Sequence, residues 1–135
     1  MNDNAALIER YLAAFNASDW SAMLDCLHED VAHDLNEGGR EIGHAAFRDF
    51  LAMMARHYRE TLSDIVVMTA ANSGRAAAEY TVHGEYLATA PGLPVANGQR
   101  YAVPAGQFFE IDDGKITRVT TYYNLKAWIA AVSAR

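Results

Sequence analysis

From Leu7 the apolar positions Leu7, Ile8, Tyr11, Leu12 and Phe15 recur at helical spacing, behind Asp3 and Asn4, which can cap a first turn. Asn16-Ala17-Ser18 interrupts the pattern, and Ser18 or Asp19 can cap a second run carrying Trp20, Met23, Leu24 and Leu27. Residues 29–35 are too short and too alternating for a helix, so they predict a short strand that Asn36-Glu37-Gly38-Gly39 turns. After Gly43 the positions Phe47, Phe50, Leu51, Met54 and Tyr58 return to helical spacing and predict a third helix.

From Thr61 the texture becomes β-branched and aromatic, predicting strands over Leu62 to Thr69, Ala76 to Leu87, Arg100 to Ile111 and Lys115 to Tyr123. Asn72-Ser73-Gly74 and Asp112-Asp113-Gly114 read as hairpin turns, which make their flanking strands antiparallel. Residues 90–98 form a longer connection placed to cover one end of the sheet. Asn124 then caps a final helix with Leu125, Trp128, Ile129 and Val132 on one stripe. Helices first and antiparallel strands afterwards predict an α+β fold, and the absence of repeats or linkers predicts one domain over residues 1–135.

The chain has 135 residues and is 51% hydrophobic and 21% charged, within the range of ordinary globular domains. Its formal charge is −6 and its 11 basic residues are scattered, which argues against nucleic acid as a partner. The start MNDNAALIERYL lacks the basic segment of a signal peptide, and no apolar run is long enough to span a membrane, so the expected location is the cytoplasm. The single cysteine, Cys26, lies beside Leu24 and Leu27 and reads as a buried structural thiol. No pair among the five histidines has the spacing of a helical metal motif, and no Gly-rich phosphate loop occurs, so neither a metal nor another cofactor is expected.

Three stretches carry a resemblance: residues 8–19, His33-Asp34 ahead of Gly43, and Asp113-Gly114-Lys115-Ile116. In this order and spacing the chain resembles the SnoaL-like and ketosteroid isomerase branch of the nuclear transport factor 2-like superfamily. The resemblance implies a cone-shaped curved antiparallel sheet wrapped around three N-terminal helices, with the open end admitting a small apolar or aromatic ligand. Ketosteroid isomerase uses an Asp base and an oxyanion hole of a Tyr and a protonated Asp. Carried over, these roles fall on Asp34 as base, nine residues before Gly43 with His33 as the alternative, on Tyr11 in its Arg-Tyr context, and on Gln107 where the protonated Asp would stand, or Gly106 if the turn length differs. Gln107 keeps a donor but not an acid. The acidic residue that the cyclase and epoxide hydrolase branches carry on the last strand is replaced here by Thr121.

Strand alternation adds the rest of the site. Ala78, Tyr80, Val82, Gly84 and Tyr86 share one face, as do Val119, Thr121 and Tyr123, and the apolar face should line the cone. The expected ligand-binding residues are Phe15, Trp20, His33, Phe50, Met54, Tyr80, Val82, Phe109, Val119, Thr121 and Tyr123, with Trp20 placed either at the inner end of the pocket or in the core. The opposite face carries Glu79, Thr81, His83, Thr120 and Tyr122, a mixture that suggests a homodimer through the outer sheet. Two functions are compatible with this pattern: a cofactor-independent isomerase or cyclase that moves a proton on a carbonyl compound, or a non-catalytic protein that uses the same pocket to bind.

Overall fold

The structure, a computed structural model, describes residues 3–133. Three helices and two short strands come first: α1 (Asn4–Asn16), α2 (Trp20–Asp25), β1 (Leu27–Asp34), β2 (Arg40–Ile42) and α3 (His44–His57). Four long strands and a last helix follow: β3 (Tyr58–Thr69), β4 (Arg75–Tyr86), β5 (Arg100–Asp112), β6 (Lys115–Tyr123) and α4 (Leu125–Ser133). The six strands form one curved sheet in the order β2-β1-β6-β5-β4-β3.

The long hairpins form as the turn residues predict. Asp113 and Gly114 both take positive φ, 51° and 76°, which is the backbone that a two-residue turn between right-twisted strands requires. Along β4 burial alternates without a break, with Ala76, Ala78, Tyr80, Val82, Gly84 and Tyr86 facing inward. On β3 the register shifts between Ser63 and Val66, where Asp64 has φ 55°. Such a bulge bends the strand. Tyr58, Glu60 and Leu62 precede it on the less exposed side, while Val66 and Met68 beyond it stand in solvent.

Several expectations change. The sheet is open, with β2 and β3 as edges, so it is not a closed cone. It is not wholly antiparallel either, because β1 pairs with β6 in parallel, His33 opposite Val119 and Asp34 opposite Thr120. No turn motif announces that pairing, since the two strands meet across the whole length of the domain. The helix carrying Trp20 ends at Asp25, and Leu27 opens β1 instead. Asp3 makes no side-chain cap; its carbonyl accepts from Leu7 N at 3.0 Å, while Asn4 Nδ2 donates to Ser73 O at 3.4 Å.

Other local readings hold. Asp19 caps α2 by accepting from Ala22 N at 3.0 Å, and Asn124 caps α4 by accepting from Ala127 N at 2.9 Å. Asn16 at the end of α1 covers the β3 edge: its Oδ1 accepts from Leu62 N at 2.7 Å and its Nδ2 donates to Leu62 O at 3.0 Å. Cys26 is buried, and that burial raises its thiol above the usual range. Residues 87–99 fold back over the end of the sheet. There Tyr86 Oη donates to Pro94 O at 2.6 Å and accepts from Ala90 N at 2.9 Å, and Gln99 Nε2 ties the loop to Val132 O of α4 at 3.1 Å.

Candidate functional site

The concave side of the sheet, α1 and α3 enclose a cavity of about 330 Å³. Its wall is largely aliphatic and aromatic, from Leu12, Phe15, Phe47, Phe50, Leu51, Met53, Met54, Leu62, Val82, Leu93 and Val103. Polar atoms enter it from Tyr11, His33, Asn36, Glu37, Tyr58, Glu60, Tyr80, Gln107, Thr121 and Tyr123. That composition, apolar with a few polar groups, is the usual make-up of a small-molecule site.

Alternation on β1 decides between His33 and Asp34. Val31 and His33 point toward the helices with Leu35 beyond them, and His33 is 4% exposed. Its ring lies 4.6 Å from Phe47 and 4.5 Å from Phe50, centroid to centroid. Burial between these rings lowers the His33 pKa to about 4, against a smaller upward pull from the neighbouring Asp34. The imidazole is therefore neutral near pH 7. Its Nδ1 is buried without a hydrogen-bond partner among the described residues, so no protein group fixes the tautomer.

Asp34 is not on the cavity wall, contrary to the expectation that it is the base. Its Oδ1 accepts from Arg40 Nε at 2.6 Å and its Oδ2 from Arg40 Nη2 at 3.0 Å and from Thr120 Oγ1 at 2.7 Å. The hydrogen bonds from Arg40 lead in holding its pKa down to about 2, with Thr120, Arg40's charge and Arg118 adding to them against desolvation. A carboxylate so firmly ionised is a poor proton acceptor. It belongs instead to a chain of charge on the outer face, where Arg118 donates to Glu110 at 2.7 Å and bonds Thr120.

Tyr11 is 2% exposed and reaches the cavity from α1, its ring edge-on to Phe109 at 5.9 Å. Burial, then the neighbouring Tyr80 phenol, raises its pKa, so the hydroxyl stays protonated and able to donate. No hydrogen bond to it is made among the described residues. Gln107 faces the cavity from β5 and donates from Nε2 to Thr121 Oγ1 at 2.9 Å, which leaves its second amide hydrogen and its carbonyl oxygen open.

Of the expected lining residues, Phe15, His33, Phe50, Met54, Tyr80, Val82, Thr121 and Tyr123 lie on the wall. Three do not. Phe109 and Val119 point inward but are fully buried beneath the helices, because alternation gives the face and not the depth. Trp20 packs on Phe15 and lines a smaller neighbouring cavity of about 180 Å³.

Glu60 is the acidic group that sequence reasoning missed. It lines both cavities, and burial raises its pKa above the ordinary carboxyl value, opposed by a hydrogen bond from Tyr101. That bond crosses one strand, β4. Glu60 on β3 is in register with Gly84 on β4, which is in register with Tyr101 on β5. The Tyr101 ring lies over Gly84, where a Cβ would overlap the phenol, and its hydroxyl donates to Glu60 Oε2 at 2.5 Å. The available signal was the spacing of Glu60 from Tyr58 and Leu62 on one face of a strand beginning earlier than Thr61.

Among the described residues no three of His, Cys, Asp and Glu converge as a metal site, and no helix is long and apolar enough to cross a membrane.

With the cavity and fold defined, the sequence matches the family model for the SnoaL-like domain over residues 8–119. The chain belongs to the SnoaL-like family. A solved relative from Xanthomonas campestris pv. campestris, provisionally named a polyketide cyclase, is 57% identical, with a TM-score of 0.92 over 96% of each chain. A second, from Silicibacter sp. TM1040 and provisionally given the same name, is 54% identical, with a TM-score of 0.95 over 97% of this chain and 96% of its own. The TerC protein, crystallised with polyporic acid, is 20% identical with a TM-score of 0.75 over 98% of this chain and all of its own, a likeness of fold. No curated protein matches this SnoaL-like chain.

Proposed function

We propose that this SnoaL-like domain binds a small, largely apolar carbonyl compound and moves a proton on it without a cofactor, as an isomerase or cyclase does. His33 takes the proton from the carbon beside the carbonyl, and Tyr11 and the free amide hydrogen of Gln107 donate to the oxygen as negative charge develops there. The observation that carries this reading is the neutral His33 ring, held against Phe47 and Phe50 in the wall of an apolar cavity of about 330 Å³. The cyclase names of the two relatives above half identity support the reaction class. A ring ligand held by TerC supports an aromatic or cyclic occupant.

The test is hydrogen exchange on a neutral ketone. With 2-tetralone in D₂O, the protein should accelerate loss of the α-proton NMR signal, and His33→Gln should slow that exchange by about 100-fold or more. Undiminished exchange in His33→Gln would exclude His33 as the base. Binding of 2-tetralone without exchange in the wild type would favour the non-catalytic reading, which has its own support in the Gln107–Thr121 pair standing where related enzymes carry acids.

The partner we propose for the outer sheet face is a second copy of the chain. Phe108 and Tyr122 stand there half-exposed, ring against ring at 5.8 Å, and beside them lies the Asp34–Arg40–Arg118–Glu110 chain of charge.

A further inference from the structure

We propose that the free Oε1 of Glu60, held in place by Tyr101 lying across Gly84, is a second polar subsite that receives the hydroxyl of an enol, phenol or alcohol on an uncharged ring ligand. The subsite deepens the small-molecule reading and rests on it. Tyr101 occupies Oε2, no described residue bonds Oε1, and Glu60 stands on the wall of the cavity. An oxygen acceptor so placed is costly to leave unmet once a ligand has displaced the water around it.

The position of the subsite sets the shape of its ligand. His33 is on β1 and Glu60 on β3, with β6, β5 and β4 between them, so the curved sheet presents the two groups from opposite sides of the cavity. A molecule that meets both carries a carbonyl toward His33 and Tyr11 and a hydroxyl toward Glu60, with an apolar body between. Its charge is restricted as well. Tyr58, Tyr80, Tyr101 and Tyr123 surround Glu60, and burial raises the pKa of all four phenols and of the carboxyl, while it lowers that of His33. Each of these six groups is disfavoured as an ion, and no Lys or Arg lies on the cavity wall to compensate an anionic ligand.

Three probes of one ring size separate the possibilities by calorimetry at pH 7: naphthalene, 2-naphthol and 2-naphthoate. The wild type should bind 2-naphthol about tenfold tighter than naphthalene and should bind the naphthoate anion more weakly than either. Glu60→Met, close in volume and without polar oxygens, should bind naphthalene as the wild type does and lose the preference for 2-naphthol. Glu60→Gln, whose amide nitrogen can still bond the ligand hydroxyl while its oxygen accepts from Tyr101, should retain the preference to within about threefold. Preference for 2-naphthol that survives in Glu60→Met would overturn the subsite while leaving the cavity reading intact. Failure of all three probes to bind the wild type would overturn both.

Discussion

Replacing Gly84 by alanine tests whether the glycine exists to make room for Tyr101. Gly84 does not have a positive φ, so its backbone asks nothing of glycine, and the requirement is one of space alone. In the wild type the new methyl meets the Tyr101 ring, and moving that ring takes its hydroxyl off Glu60. Overpacking of this kind costs about 1–3 kcal/mol and the lost hydrogen bond about 1 kcal/mol more, for a total of about 2–4 kcal/mol. At about 2.1 cal/mol/K per residue, 135 residues give an unfolding entropy near 0.28 kcal/mol/K, so Tm should fall by about 7–14 °C. In a Tyr101→Ala background the obstacle is gone. There the same Gly84→Ala change should stabilise by about 0.5–1 kcal/mol, the ordinary gain from removing a glycine from a strand. Urea unfolding of the four proteins, with m-values checked for constancy, gives the double-mutant cycle. An equal cost of Gly84→Ala in both backgrounds would refute the idea that Tyr101 dictates the glycine.

Four further outcomes are expected. Asp34→Asn should leave proton exchange on 2-tetralone unchanged and lower stability at pH 7 by about 1 kcal/mol, since the Arg40 side of the pair is half in solvent. Because its folded pKa of about 2 lies below the ordinary 3.8, that contribution is complete above pH 3.8, fades as pH falls through about 2, and should be seen to do so in acid unfolding curves. His33 should titrate by NMR near pH 4; its neutral burial makes the fold lose stability as pH falls from 6.5 toward 4, a loss that His33→Phe should abolish. Tyr122→Glu should shift the light-scattering mass from dimer to monomer without changing cavity binding, and a monomeric wild type would refute the outer-face interface. Asn124→Ala should cost about 1 kcal/mol by circular dichroism melting while leaving 2-naphthol affinity intact.

The long strands were legible because their information is local: alternation on β4 gives every inward residue, and Asp113-Gly114 specifies its own turn. His33 was equally open to that logic, through Val31 and Leu35 on either side, but counting back from Gly43 favoured Asp34 and ignored the face. Glu60 was hidden by an abrupt boundary. Tyr58 ends α3 and is already extended at φ −138°, ψ 148°, with no glycine or proline to mark the change. The Tyr101–Glu60 bond spans 41 positions and depends on an empty place at Gly84 between them, which no pattern along the chain expresses. The depth of Phe109 and Val119 depends on where the helices settle, a tertiary fact that alternation does not contain.

The parallel pairing of β1 with β6 also bears on when the site comes into being. His33 is made early in synthesis, yet the strand that holds it is flanked on one side by β6, and Asp34 meets Thr120 across 86 positions of chain. On the other side β1 has only the three-residue β2. A nascent chain that has emerged as far as β5 can close its hairpins, but β1 still lacks its main neighbour, and its apolar residues remain exposed. Contacts of such long range are slow to close and are the ones most open to intermolecular error. Completing the cavity therefore depends on the pairing of β1 with β6, between strands far apart along the chain.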